Sequence, residues 1–321
     1  ICYITKNVYG MESIMFKIFS DTPCDFTVEY AESLGVTIVP LYVSFDGENY
    51  LKAQYELTTE DFYNRMTSEK VYPKTSMPSV HDYIDYFMPY VKENTPIIAI
   101  TISTLFSGSF NSANMAADQI REEYPDAQIT VINSQLNSAA QELLVYEAVR
   151  MNRDNVPYET AIKVLDEMTK LGTVYFVIEG LDYLQKGGRI GKVASLITGM
   201  LNIRPVLYLN NGEISISSIT RTRKKSVTGV LEGVKHHFRI NNIDPSTYDF
   251  TTGTSDTTKE GIDECADLRR RLEEELGVVC VESRERFDSR VSMITGCHTG
   301  SYTMGIGYIP KYETILPLVA K

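Results

Sequence analysis

The chain has 321 residues, more than one ordinary hydrophobic core organises, so two domains with a cleft between them are expected. Its 43% apolar and 23% charged residues are the mixture of a soluble globular protein. A formal charge of −11 has the wrong sign for nucleic acid or an anionic membrane surface, because both call for a basic face.

Residues 1–14, ICYITKNVYGMESI, carry neither the apolar stretch nor the cleavage site of a signal peptide, and they read as an upstream extension to a folded part that starts at Met15. Phe16 to Phe19 is a short apolar run that predicts a buried strand, followed by the polar loop SDTPCD. Val36 to Phe45 predicts a second strand, turned at Asp46 and Gly47 into Tyr50 and Leu51. Thr58 with Asp61 marks the start of a helix to about Met66, and Ser79 with Asp82 marks another over His81 to Glu93. The segment PKTSMPS at 73–79 therefore reads as a loop that ends at a helix start.

Ile97 to Ile102 is an unbroken run rich in β-branched residues, then a loop of serine and glycine, then a helix from Phe110 to Glu123. Gln128 to Ile132 predicts the next strand, ending in NSQLNSAA, with helices over Ala139 to Met151 and Pro157 to Lys170. Strands alternating with helices predict a mostly parallel sheet. Beyond residue 170 the pattern changes. Thr173 to Ile178 predicts a strand, GGRIGK opens a helix to about Met200, and Arg204 to Ile219 forms a hairpin turned at Asn211 and Gly212. A strand at Tyr248 to Thr252, a charged helix over Thr258 to Leu276, and strands at Val278 to Val281 and Val291 to Gly296 complete the expectation. The fold class is α/β in two domains: residues 15–170 with a mostly parallel sheet flanked by helices, and residues 171–321 as an α+β domain with an antiparallel hairpin.

Three segments rich in small residues stand out: PKTSMPS at 73–79, STLFSGSFNSA at 103–113 and LDYLQKGGRIGK at 181–192. None is a Walker A loop, because Lys186 stands where glycine is required and Val193 where serine or threonine is. They supply hydroxyls, pliable backbone and one arginine, the means of holding a buried anion. A buried carboxylate is costly unless several donors meet it. Thr75, Ser107 and the amides of Gly108 and Ser109 at a helix start are such donors, at the carboxyl ends of strands where open α/β sheets bind ligands. The same residues also suit plain caps and turns.

Arg189 sits among glycines, and its guanidinium suits a carboxylate or phosphate. His298, one of four histidines, follows a predicted strand and is a candidate donor to the anion. Asp21 and Asp25 read as turn and cap residues before they read as an acid/base pair. His236 and His237 lack partners at metal-ligand spacing, the chain has no GxSxG elbow, and neither metal nor cofactor is expected. The basic spot Arg221, Arg223, Lys224 and Lys225 reads as a solvated strand end. Five separate cysteines with no CxxC pair fit reduced thiols, and no stretch has the length of a membrane span, so the expected location is the cytoplasm without stable membrane insertion.

With these residues assembled, the chain resembles the DegV family, the fatty-acid-binding subunits of bacterial fatty acid kinase (FakB type). The resemblance spans Met15 to about Pro310. It rests on SDTPCDF at 20–26, KTSMPS at 74–79, STLFSGSFNSA at 103–113 and DYLQKGGRIGK at 182–192, followed by NIRPVLYLNNGEI. It implies one long-chain fatty acid in a tunnel between the two domains, its carboxylate held by Thr75 and Ser107, with Ser76, Gly108 and Ser109 beside them. His298 matches the family's histidine, in HTGSY instead of HxGPG, and Arg189 matches the arginine of GGRI. It further implies that the protein is not itself an enzyme, binds no ATP, presents the carboxylate to a separate kinase subunit and passes the acyl phosphate to an acyltransferase. The alternatives are a phosphotransferase on a dihydroxyacetone-kinase-like fold, which predicts nucleotide binding, and a binder of another lipophilic anion such as a sterol acid or retinoid.

Overall fold

The β-branched runs at 36–39, 97–101 and 129–133 become strands of one parallel sheet. The computed structural model describes residues 15–178, 180–196, 203–285 and 290–319. Strand β1 (Lys17–Asp21) is followed by helix α1 (Val28–Ser33) and strand β2 (Val36–Val39). Pro40 has no N–H for a ladder, and the chain leaves the sheet there. The single strand expected over Val36 to Phe45 is therefore two, and β3 (Tyr42–Ser44) belongs to a separate small sheet with β4 (Leu51–Lys52) and β5 (Lys74–Ser76). Between these last two runs α2 (Thr59–Glu69), capped by Thr58. The expected loop at TSMPS is thus a short strand, antiparallel to β3.

Helix α3 (Val80–Lys92) opens with the capping box of Ser79 and Asp82 anticipated from sequence. Strand β6 (Ile97–Thr101), helix α4 (Ser109–Glu123), strand β7 (Ile129–Asn133), and helices α5 (Ser138–Arg153) and α6 (Tyr158–Thr169) follow. The sheet order is β2-β1-β6-β7, all parallel. Helices α3 and α4 cover one face, while α1, α5 and α6 lie on the other.

The second half folds around an antiparallel sheet. Strand β8 (Thr173–Val177) leads to a short helix α7 (Asp182–Lys186), so a helix comes before the glycine loop, and a 3-10 turn, Gly191–Leu196, follows it. The expected helix toward Met200 continues into positions outside the described residues, as do residues 1–14. Strands β9 (Arg204–Asn210) and β10 (Glu213–Thr220) form the expected hairpin, with positive φ at both Asn211 and Gly212. Helix α8 (Arg223–Ile240), strand β11 (Tyr248–Thr254), helices α9 (Lys259–Leu276), α10 (Val281–Glu285) and α11 (Met293–Thr299), strand β12 (Met304–Pro310) and helix α12 (Tyr312–Val319) complete the chain.

Two sequence expectations fail here. No strand forms over Val278–Val281, and Val291–Gly296 contributes mainly to a helix, because Ser292 caps Thr295 and starts α11. The β-branched run favoured a strand in isolation; the cap and the packing against α2 and α7 decide otherwise.

The antiparallel order is β10-β9-β8-β12-β11, with α8 and α9 on its outer face. Helix α5 lies between the two sheets. Its residues are buried on nearly all sides, as a helix must be when it is walled in on both faces. Close approach to β12 is allowed by Gly307, where a side chain would strike the backbone and Cβ of Ala139. The molecule thus has five layers: helices, parallel sheet, α5 with its neighbours, antiparallel sheet, helices.

Candidate functional site

A cavity opens where the carboxyl ends of the parallel strands meet the inner face of the antiparallel sheet. Leu41, Ile102 and Asn137 follow β2, β6 and β7 on one side, and Val174, Phe176 and Leu209 face them from β8 and β9. It holds about 1020 Å³ of space free of atoms, its mouth included, and most of its walls are hydrocarbon. The floor is flattened by Gly253 and Gly305, which pair across β11 and β12.

Five of the seven anticipated site residues line this one cavity: Thr75, Ser107, Gly108, Arg189 and His298. Residues separated by more than two hundred positions are brought into contact: Thr75 Oγ1 lies 3.0 Å from His298 Nε2. Strand alternation sends Thr75 inward and leaves Ser76 exposed, so Ser76 does not reach the cavity. Ser109 is also turned away. Its hydroxyl donates to Asp21 Oδ2 at 2.7 Å and lies 2.6 Å from the Tyr83 hydroxyl, and its amide donates to Ser107 Oγ at 3.2 Å.

The charges at the polar end are asymmetric. Burial pushes His298 down to about 4, with the positive charge of Arg189 adding to the shift, so the imidazole is neutral at physiological pH. Its Nδ1 is buried without a hydrogen-bond partner among the described residues. Arg189 is half-buried and donates to two backbone carbonyls, from Nε to Phe106 at 3.0 Å and from Nη1 to Gly187 at 2.6 Å. No carboxylate pairs with it among the described residues. Burial lowers the guanidinium pKa, but arginine ordinarily titrates so far above neutral pH that it stays charged. The cavity therefore has an apolar body and a polar end carrying a positive charge that no acid neutralises among the described residues.

Gly187 makes room for the histidine. A Cβ there would fall on His298 Nδ1. Gly187→Ala is expected to displace the ring toward water, break the contact with Thr75 and raise the His298 pKa from about 4 toward its ordinary 6.5; a titration of the imidazole by NMR reads this directly.

Asp21 and Asp25 do more than turn the chain. Asp21 is buried and accepts from Ile102 N at 3.1 Å, Ser109 Oγ at 2.7 Å and Gln141 Nε2 at 2.7 Å. Asp25 accepts from Ser138 Oγ and from Ser292 N, the latter at 2.7 Å, tying β1, α5 and the start of α11 together behind the cavity. Burial pushes their carboxyls up, to about 6 and about 7. Of the cavity-lining residues, Met77 is 48% exposed; Leu105, next to cavity-lining Phe106 in the chain, is 59% exposed, and Tyr72 packs on Tyr183 beneath the Lys186 ammonium.

Sequence reasoning missed Asn137, Ser138, Thr295, Thr299 and Thr303, all of which line the cavity. The available signal was the hydroxyl at every fourth position, 295, 299 and 303, flanking His298. Reading that segment as a strand hid the shared helical face of the first two. His298 lies on α11 itself, not after a strand.

Residues 15–311 match the family model described as uncharacterised protein, DegV family. A DegV domain-containing protein of Clostridium perfringens is 28% identical over 292 residues, covering 91% of this chain and 98% of that protein. One of Clostridium acetobutylicum is 34% identical over 227 residues, 70% of this chain and 78% of its own length. Among solved structures, a stearic acid-binding protein of Eubacterium ventriosum is 39% identical, with a TM-score of 0.86 over 93% of this chain and 99% of that one. A Thermotoga maritima protein described as having a fatty acid binding function is 26% identical, with a TM-score of 0.74 over 92% of this chain and 99% of its own.

Proposed function

The chain belongs to the DegV family, and from that premise we propose that it binds one long-chain fatty acid and presents the carboxylate to a separate kinase subunit. The observation that carries the reading is Arg189: a half-buried cation with no acid partner among the described residues, at the polar end of an apolar cavity. A carboxylate neutralises it, and the hydrocarbon attached fills the rest. The relatives that bind fatty acids, among them the stearic acid-binding protein of Eubacterium ventriosum, support the same assignment.

The donors follow from the hydrogen-bond inventory. With the His298 proton on Nε2, that nitrogen donates to Thr75 Oγ1, and the Thr75 hydroxyl proton is left for the ligand. Ser107 Oγ accepts from the Ser109 amide and likewise keeps its own proton to give. Two hydroxyls and a guanidinium thus meet one carboxylate. Burying roughly 15 methylenes at about 0.8 kcal/mol each contributes on the order of 12 kcal/mol before ordering costs, so the tail supplies affinity and the headgroup sets direction.

The headgroup loops also reach solvent, through Met77, which lines the cavity, and through exposed Leu105 next to cavity-lining Phe106. A kinase docked there phosphorylates the carboxylate without extracting the tail, and an acyltransferase takes the acyl phosphate from the same opening. The protein acts as a carrier and needs no nucleotide site of its own.

Mass spectrometry of freshly purified, denatured protein tests the cargo. One long-chain acid per chain is expected, and a protein that carries no lipid and takes up none on incubation overturns the reading. Tail length is set at the floor. Gly253→Val places a branched side chain between the sheet and the tail, on extended backbone that valine favours. The expected outcome is a shift of preference toward acids shorter by two or more carbons, at about 0.8 kcal/mol for each methylene that no longer fits, measured by competitive titration of acids of graded length.

A further inference from the structure

Asn137 occupies the N-cap of α5 and does not cap it. Asparagine is among the best N-cap residues because its side-chain oxygen accepts an orphan amide of the first turn, a contact whose loss costs about 1 kcal/mol. Here Oδ1 instead accepts from the Thr295 hydroxyl at 3.1 Å. Both residues line the cavity. With the oxygen held, the plane of the amide is fixed, and its NH₂ group, two donors, has no protein partner among the described residues. The next residue is drawn into the same arrangement: Ser138 adopts a left-handed backbone, φ 54, and its hydroxyl is held by Asp25. An asparagine that forgoes its local role to hold two free donors at the wall of a hydrocarbon cavity is placed to meet an oxygen atom.

Its height in the cavity follows from α11. Thr295 and His298 are three residues apart on that helix, on one face and about 4.5 Å apart along its axis. Asn137, tied to Thr295, therefore stands about one turn from the histidine that bonds Thr75. That distance corresponds to the first few carbons of an acid whose carboxylate lies at Thr75 and Arg189. We propose that Asn137 is a specificity-determining residue, donating to an oxygen substituent close to the carboxylate, so that the cavity takes 3-hydroxy fatty acids in preference to unsubstituted ones. The inference rests on the fatty-acid reading above and adds a second polar station to it.

The test uses the full chain stripped of lipid, titrated with hexadecanoic acid, 3-hydroxyhexadecanoic acid and, as a control for a distant hydroxyl, 16-hydroxyhexadecanoic acid. The quantity read is the ratio of affinities. Wild type is expected to favour the 3-hydroxy acid over the unsubstituted one by about three- to tenfold, as one neutral hydrogen bond allows, and to disfavour the 16-hydroxy acid. Asn137→Leu is expected to reverse the first ratio. Thr295→Val, which releases the amide without emptying the position, is expected to bring that ratio close to one, and it stands in if the leucine variant fails to fold. If both variants leave the ratio at its wild-type value, or if wild type shows no preference for the 3-hydroxy acid, the proposal is overturned. If wild type binds none of the three acids, the fatty-acid reading itself has failed, and the inference goes with it.

Discussion

Replacing Arg189 with leucine is expected to weaken the binding of a long-chain fatty acid by about ten- to a hundredfold, the range of a hydrogen bond to a charged group. The matching fatty alcohol should lose far less, because it offers no charge for the guanidinium to neutralise. The asymmetry follows from the surroundings of Arg189: its Nε and Nη1 are held by carbonyls of Phe106 and Gly187, and the described residues give it no acid. The neutral His298 cannot take its place. Leucine preserves much of the stem's packing, so the comparison separates charge from volume. Titration of acid and alcohol against both proteins reads the effect, and equal losses for the two ligands would contradict the assignment of Arg189 to the carboxylate.

The second large effect concerns pH. Asp25 titrates near 3.8 when unfolded, and burial raises it to about 7 in the folded protein. Between those values the folded state binds the proton more tightly, so the contribution of Asp25 to stability is full below the unfolded value and is lost as pH rises toward 7. The span corresponds to on the order of 4 kcal/mol. Asp21, raised to about 6, acts in the same direction. His298 acts against both: lowered from 6.5 to about 4, it loses stability as pH falls through that window. Asp25→Asn removes the largest of the three. Urea unfolding at intervals from pH 4 to pH 7 should show the wild type losing stability relative to the variant by several kcal/mol across the window. Parallel curves would show that Asp25 keeps its ordinary pKa behind the cavity.

Local signals carried the sequence reading a long way where a single cause decides the structure. The β-branched run at 97–101, the Asn211–Gly212 turn and the Ser79 capping box each formed as expected, because each is settled by neighbours within a few residues. The signals failed where distant packing overrides propensity. Pro40 was read through as part of one strand, although it divides two sheets. The segment from Val291 was read as a strand, although Ser292 caps a helix there and packing against α2 and α7 holds it.

The same division runs through the site. Thr75, Ser107, Gly108, Arg189 and His298 were recoverable because they sit in motifs with hydroxyls and glycines of unusual density, and they share a cavity. Ser76 and Ser109 share those motifs but face elsewhere, one by strand alternation and one because buried Asp21 and Tyr83 claim its hydroxyl. Side-chain direction at a helix start depends on what lies beneath the loop, which spacing does not encode. Asn137 lies within NSQLNSAA, which carried no site reading, and its bond to Thr295, from the other end of the chain, is what marks it.

The proposed function depends on an acyl chain lying in this cavity with its carboxylate among Thr75, Ser107 and Arg189. A crystal structure of the protein with hexadecanoic acid tests it most directly. The carboxylate oxygens are expected within hydrogen-bond reach of the Thr75 and Ser107 hydroxyls and of the guanidinium, with the tail running over Gly253 and Gly305. A carboxylate at the opposite end of the cavity, or a tail lying on the outer surface, would contradict it.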